Sequence, residues 1–483
     1  MNTLTATDYL LAMPEIYLAS AICVVLLFDL FFAARHPART GMFSILVLLV
    51  GAAVTWYYAP AKSVLILNGL YVADPLASVL KIATFLAGAM ALFYSRSYLQ
   101  RKGLQKGEFH VLALSAMLGI LVLASAANLL SVYVGVELLS LSLYALVAFD
   151  RDSGIGAEAA IKYFVLGAIA SGTLLYGMSL LYGITGTLDL GELAARIGPV
   201  AGGTAQLGTI LAVSFVVVAV AFKFGAVPFH MWVPDVYQGA PTASTMLVAT
   251  APKIASFALA FRLLSEGLAP QSASWTQMLA VLAVLSVVAG NLIAIAQTSL
   301  LRMLAYSAIA NVGFILLGFV SGNGIGYSAA LFYTLAYVLM TLAAFGVVLL
   351  AGRNGCEADQ LDHYKGLHSR DPLLAGVLAA VMFSTAGVPP FVGFWAKLRI
   401  IEALLGSGHL ALAIVAVVAS VIGAFYYLRV VWLIYFESPG EQPAIERSLA
   451  PRLLLVLNAL VVLAVGLMPG GLLDLCRQVI PGS

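Results

Sequence analysis

The chain is 483 residues long, 62% of them hydrophobic and only 10% charged, with a formal net charge of +2 and a mean hydropathy of +1.02. Soluble domains carry about 25% charged residues, so a water-soluble globular fold and a basic nucleic-acid-binding surface are excluded. What remains is an all-α polytopic membrane protein whose length is used up by apolar spans, embedded in the lipid bilayer and with no nucleic-acid partner.

A span needs about 20 mostly apolar residues. Fourteen such stretches are predicted, at 10–33, 42–59, 72–94, 109–126, 128–149, 157–182, 205–236, 241–264, 275–297, 300–320, 326–351, 373–405, 409–436 and 450–473. The first lacks a basic n-region and a small-residue cleavage site, so it reads as span 1 and not as a signal peptide. Basic residues are distributed unevenly between the loops. Arg35, Arg39, Arg96, Arg101, Lys102, Lys106, Arg151, Arg302, Arg353, Lys365, Arg370, Arg447 and Arg452 fall on one side. Only Lys62, Arg196, Arg262 and Arg477 fall on the other. The positive-inside rule then places loops 94–109 and 352–372 in the cytoplasm and both termini outside.

Taken in chain order, charges interrupt the apolar spans at Lys81 (span 3), Glu137 (span 5), Lys162 (span 6), Lys223 (span 7), Lys253 (span 8) and Lys397 (span 12). A charge in the bilayer core is costly, so such residues face a protein or water interior and mark ion routes. Glu137 and Lys253 are near mid-span. Lys162 is close enough to a span end to snorkel. Lys81 has Asp74 two turns away on the same helix face, which suggests a structural ion pair as readily as a functional one.

Spans 7 and 12 are too long and carry a break. Gly225-Ala-Val-Pro-Phe and Gly387-Val-Pro-Pro-Phe are each followed by a tryptophan (Trp232, Trp395) and have a lysine nearby (Lys223, Lys397). Proline removes a backbone donor and disfavours helix in the residue before it, so carbonyls are freed inside the membrane. The breaks lie five spans apart, and an odd number of spans reverses membrane direction. The expected architecture is therefore two inverted five-helix repeats, 109–264 and 265–437, preceded by a three-helix segment (1–108) and followed by a C-terminal helix (438–483). Broken helices in corresponding halves are the architecture of secondary transporters.

Buried lysine can exchange protons because burial moves its pKa from about 10.4 towards neutrality, while a nearby carboxylate opposes that shift. A Glu–Lys pair is therefore a switch, and Glu137 with Lys223 is the candidate pair. His230, two residues after Pro228, is placed to carry protons between the halves. Tyr306, Ser307 and Asn311 could line the second half, or could simply bond helix to helix. The scattered Cys23, Cys356 and Cys476 form no C-x-x-C motif, and neither a nucleotide loop nor a dinucleotide fingerprint is present. The sequence thus offers no metal ligand set and no redox or ATP site of its own, so its energy comes from an ion gradient or a partner.

At these residues the chain resembles the antiporter-like subunits of respiratory complex I, the NADH:quinone oxidoreductase. The resemblance rests on the glutamate of span 5, the lysines of spans 6, 7, 8 and 12, the two breaks, and the run K-x-G-x-x-P-F-H-x-W-x-P-D-x-Y-x-G-A-P. EAAIKYFVLGAIASG, LLRMLAYSAIAN and YKGLHSRDP point to the N-type branch. Tyr333, Tyr337 and Asn311 stand where L- and M-type relatives usually have histidine. The resemblance implies a proton-translocating subunit of a translocase. Glu137 and Lys223 would form a modulating pair with Lys162 beside them, Lys253 would sit on a central axis close to His230, and Lys397 would serve the second half. It also implies partner membrane-arm subunits, including a second antiporter-like subunit. FMN, iron–sulfur clusters and quinone would lie in partner subunits, with no cofactor in this chain. An Mrp-type cation/proton antiporter subunit is the alternative. A structural spacer, in which buried charges only fix packing, is a third reading from another class.

Overall fold

The computed structural model describes residues 5–33, 38–198, 204–352, 357–439, 445 and 448–482. Arg35, Arg353, Arg447 and Cys356 lie outside the described residues. Among the described residues, thirteen helices are long and apolar enough to cross a membrane, from Met13–Phe32 (span 1) to Leu449–Leu467 (span 14). The predicted span 12 is present as two shorter helices, Pro372–Ala386 and Val392–Gly406, which completes the expected set. Span 7 is likewise divided, into Thr204–Phe224 and Trp232–Gly239.

Two features escaped the hydropathy reading. Between spans 2 and 3 a hairpin forms, with Val64–Ile66 (β1) antiparallel to Tyr71–Ala73 (β2) in the register Val64↔Ala73. Span 8 is bent at Thr250 (φ −112°, ψ −91°), separating Thr242–Ala249 from Ala251–Ala260. Pro252, inside the first turn of the second piece, is the signal that marks the bend, because its ring excludes a continuous helix through the preceding turn.

The chain packs as two compact units. The first comprises Met1–Leu92, Gln105–Phe224 and Ala251–Leu279. The second comprises Phe93–Leu104, Gly225–Thr250 and Ala280–Ser483.

In the first unit, spans 4 (Gly107–Ala124) and 5 (Leu129–Val147) pack closely. A Cβ on Gly119 would lie 2.5 Å from the Leu139 nitrogen and 2.9 Å from the Gly135 carbonyl oxygen. Leu129 N donates to Leu188 O (2.8 Å) and Leu190 N to Ala127 O (3.0 Å), pinning the start of span 5 to the chain that follows span 6. In the second unit the same contacts recur at one constant sequence offset. A Cβ on Gly290 would lie 2.7 Å from the Ala310 nitrogen and 2.9 Å from the Tyr306 oxygen. Leu300 N donates to Asp359 O (2.6 Å) and Leu361 N to Thr298 O (2.9 Å). The internal repeat is thus expressed in backbone contacts as well as in the two breaks.

Two buried ion pairs hold the first unit, and they differ from the expected one. Lys81 does not pair with Asp74. It meets Glu15 of span 1 at 2.6 Å, both side chains being at most 10% exposed. Asp74 instead takes Arg262 at 2.8 Å and caps its own helix through Ala77 N (2.6 Å). Arg262, assigned to a loop on sequence, is buried in a π-helical turn, Phe261–Gly267. Its guanidinium also reaches Glu266 (2.7 Å) and the Ala124 carbonyl (2.9 Å). Proximity along one helix was outcompeted by tertiary neighbours that satisfy more of the guanidinium's five donors.

Adding one methyl group at either helix crossing should force the paired spans apart. Gly119→Ala and Gly290→Ala are each expected to cost about 1–3 kcal/mol, read as a lower thermal unfolding midpoint of the purified protein in detergent. An unchanged midpoint for both would show that these crossings are looser than described.

Candidate proton-transfer site

Candidate residues gather at each of the two broken helices. In the first unit, span 7 runs to Phe224 and stops, because Gly225 adopts φ +77°, the left-handed conformation that ends helices and suits glycine. The last turn then has carbonyls without intrahelical donors. Two residues of span 8 supply donors. Lys253 Nζ donates to Phe224 O at 2.8 Å, and Ser256 Oγ donates to Lys223 O at 3.0 Å. Lys253 is 2% exposed, so its ammonium lies wholly inside the protein against the negative end of a helix dipole, where a cation is favoured.

In the second unit the first half of span 12 stops at Ala386, before Gly387 at φ +90°. Lys397 Nζ donates to Ala386 O at 2.9 Å. The lysine stem crosses Gly387 so closely that a Cβ there would lie 3.0 Å from Lys397 Cδ. Both breaks therefore have one arrangement: the carbonyl immediately before the left-handed glycine accepts a hydrogen bond from a buried lysine. The lysine comes from the next span in one case and from the far half of the same span in the other. Both glycines are followed, three residues on, by a proline in a cis peptide bond, Pro228 and Pro390.

Lys223 and Glu137 come together through span 5. Lys223 Nζ donates to Ser140 Oγ at 2.6 Å, and Ser140 in turn donates to the Val136 carbonyl. Glu137, one turn before Ser140, is half-buried and within electrostatic reach of Lys223. Its Oε1 is buried with no hydrogen-bond partner. Ser140 was not singled out on sequence, because a serine in a transmembrane helix more often bonds its own backbone.

Lys162 is not brought to this pair. On span 6 the buried face is Ala159, Tyr163, Gly167, Ala170 and Leu174, and Tyr144 of span 5 packs edge-on to Tyr163 with ring centroids 4.8 Å apart. Lys162 is one residue, about 100° of helix, away from that face. It is 44% exposed and meets Glu158 at 2.8 Å.

The second unit holds His230, whose ring centroid is 6.5 Å from that of Tyr306 and whose Nδ1 is buried without a partner. It also holds a buried neutral network. Tyr333 donates to Asn311 Oδ1 (2.7 Å). Asn311 Nδ2 donates to Ser307 O (2.7 Å), and the Ser307 and Tyr427 hydroxyls are hydrogen-bonded to each other at 2.5 Å. Lys397 Nζ sits 5.4 Å above the Phe314 ring, which stacks on Tyr333 at 5.9 Å. A small cavity, of the order of one water in size, is lined by Ser307, Tyr337, Thr341 and Thr385. Asn311 thus joins the second half as a hydrogen-bonding residue, with Tyr333 as its donor.

Residues 126–423 match the family described as NADH:quinone oxidoreductase/Mrp antiporter, transmembrane. A protein named NADH-quinone oxidoreductase subunit N, from Thiobacillus denitrificans, is 50% identical over 474 residues, covering 98% of this chain and 97% of the relative. The chain belongs to this family, on its subunit N branch. A chain of respiratory complex I from Thermus thermophilus superposes with a TM-score of 0.82 at 33% identity, covering 96% of this chain and 99% of that one. A chain of the Mrp complex from Dietzia sp. superposes with a TM-score of 0.84 at 24% identity, covering 99% and 97%, and shows the shared fold alone. Membership of the family agrees with the residues that carried the resemblance.

Removing the lysine donors should expose the same weakness at both breaks. Lys253→Met and Lys397→Met each leave a buried carbonyl without its donor, at a cost of about 1–3 kcal/mol. The measurement is the thermal unfolding midpoint of the purified protein. Midpoints that do not move would mean that the carbonyls are satisfied in some other way.

Proposed function

We propose that this chain is the N-type, proton-translocating subunit of the membrane arm of an NADH:quinone oxidoreductase. The observation that carries the reading is the pair of lysines, Lys253 and Lys397, each hydrogen-bonded to the last carbonyl of a broken membrane helix. An amine bonded to a neutral oxygen can give up its proton without breaking an ion pair, and a group at a helix break lies where a small backbone movement changes its surroundings. Glu137 and Lys223, the latter bonded to Ser140 one turn along span 5 from the glutamate, form the modulating pair. His230, with Tyr306 beside it, and Lys397 with the Tyr333–Asn311–Ser307–Tyr427 network continue the route. Lys162, facing outwards with Glu158, takes part from the outer surface of the subunit.

The functional repeats are 109–264 and 265–437, flanked by 1–108 and 438–483. The chain is part of a translocase and carries no redox site. FMN, iron–sulfur clusters and quinone belong to partner subunits, and the energy of quinone reduction reaches this chain through its neighbours, among them a second antiporter-like subunit. The protein lies in the bacterial inner membrane with both termini on the outer face, as the loop charges favour.

Purification of the tagged chain in mild detergent should bring down NADH:quinone reductase activity with flavin and iron–sulfur absorbance. A complex without these, exchanging sodium for protons in vesicles, would favour the Mrp-type alternative.

Within the assembled complex, Lys223→Ala should slow proton uptake through this subunit by about tenfold or more, as loss of a positioned acid–base group does. Lys162→Ala should act more weakly. Equal coupling in wild type and Lys223→Ala, at equal assembly, would remove the Glu137–Lys223 pair from the mechanism. It would leave the spacer reading.

A further inference from the structure

The two breaks share a register that extends past the proline. The tenth residue after Gly387 is Lys397, and the tenth after Gly225 is Asp235. Asp235 therefore stands at the same sequence distance from its break as Lys397 does from its own, as the fourth residue of Trp232–Gly239 where Lys397 is the sixth of Val392–Gly406. It is a titratable group of opposite sign, and nothing in the proton route described above uses it.

Its surroundings are polar and continuous. Arg302, on span 10, places Nη1 3.2 Å from Asp235 Oδ1 and 3.1 Å from Gln238 Oε1. Gln238 Nε2 donates to Asp359 Oδ2 at 3.3 Å. Asp359 belongs to the strand-like contact that pins the start of span 10, its carbonyl accepting Leu300 N. Asp235 and Arg302 side chains are 28% and 31% exposed, so water reaches the pair. One helical turn beyond Arg302 on span 10 stands Tyr306, 6.5 Å ring to ring from His230. His230 lies on the break just before the short helix that carries Asp235, and its carbonyl accepts Val233 N at 2.9 Å. Polar side chains thus line the way from the loop at Asp359 to the histidine.

We propose that Asp235 is a further proton-transfer residue of this subunit, taking protons from water at the Asp359 end and passing them to His230. Arg302 is a positioning residue. The inference rests on the proton-translocating reading given above. The guanidinium keeps its charge throughout. It holds Asp235 as a carboxylate aimed along the line until a proton arrives from hydronium. The carboxyl hydrogen then passes, directly or through one water, to the buried Nδ1 of His230, and the carboxylate returns to Arg302. No bond other than that to the proton is made or broken.

The competing explanation is an ion pair that only locks a short helix to span 10. The test uses the intact complex in proteoliposomes, with protons moved and NADH oxidised recorded together. Asp235→Asn keeps the shape and an oxygen facing Arg302 but cannot carry the proton. It is expected to slow uptake through the subunit by about tenfold or more, read as fewer protons per NADH at unchanged assembly, with Asp235→Glu restoring the ratio. Arg302→Lys should restore most of what Arg302→Ala loses. Asp235→Asn combined with His230→Gln should lower the ratio no further than the stronger single change, since residues on one route are not additive.

A wild-type ratio in Asp235→Asn, whether or not the complex forms in smaller amount, overturns the proposal. So does an additive double variant. A wild-type complex that oxidises NADH and moves no protons overturns the translocation reading itself, and this proposal with it.

Discussion

A helix broken inside hydrocarbon frees carbonyls that no solvent can satisfy, and that constraint organises this protein. At each break the chain turns through a left-handed glycine, Gly225 or Gly387, and the orphaned carbonyl before it takes a lysine, Lys253 or Lys397. The negative end of the helix dipole and the ammonium suit each other. What makes the break tolerable therefore also places an ammonium group at the turn.

The two repeats meet this requirement with different residues. Backbone contacts at Gly119 and Gly290, and at the starts of spans 5 and 10, keep a constant offset. At the same offset Ser140 corresponds to Asn311 and Lys162 to Tyr333. In the second repeat these two positions bond to one another, Tyr333 to Asn311. In the first they have parted: Ser140 takes Lys223, and Lys162 faces outwards with Glu158. One half is thus built on ammonium groups, while the other adds a neutral chain of phenol, amide and hydroxyl to its buried Lys397. The halves share a scaffold without sharing the polar residues set on it.

Much of this was legible in the sequence because membranes make the relevant residues conspicuous. A lysine or glutamate in an apolar run and a Gly-x-x-Pro in a long span each break a strong pattern, so Glu137, Lys223, Lys253, Lys397 and both breaks stand out without a structure. What was hidden depends on phase and partners. Lys162 and Tyr163 are adjacent in sequence, yet about 100° of rotation sends one outwards and buries the other. Lys81 has Asp74 on its own helix face but meets Glu15, because a span far away in sequence approaches more closely. Ser140 is one of several transmembrane serines and becomes important only when Lys223 is placed beside it. The bend in span 8 was foreshadowed by Pro252 and missed because hydropathy alone continues smoothly across it.

Buried charge alone does not define a proton route. Lys81 with Glu15, and Arg262 with Asp74 and Glu266, are as deeply placed as the lysines at the breaks. Their charges are matched by carboxylates, and removing one partner of such a pair leaves an uncompensated buried ion at a cost of about 3–5 kcal/mol. A proton cannot leave these pairs without meeting that penalty, so they brace the first unit. Lys223, Lys253 and Lys397 bond to a hydroxyl or a carbonyl instead, and such a bond survives loss of the proton, since a neutral amine still donates. The partner of each lysine, more than its depth, separates charges locked in an ion pair from amines whose hydrogen bond outlasts loss of a proton.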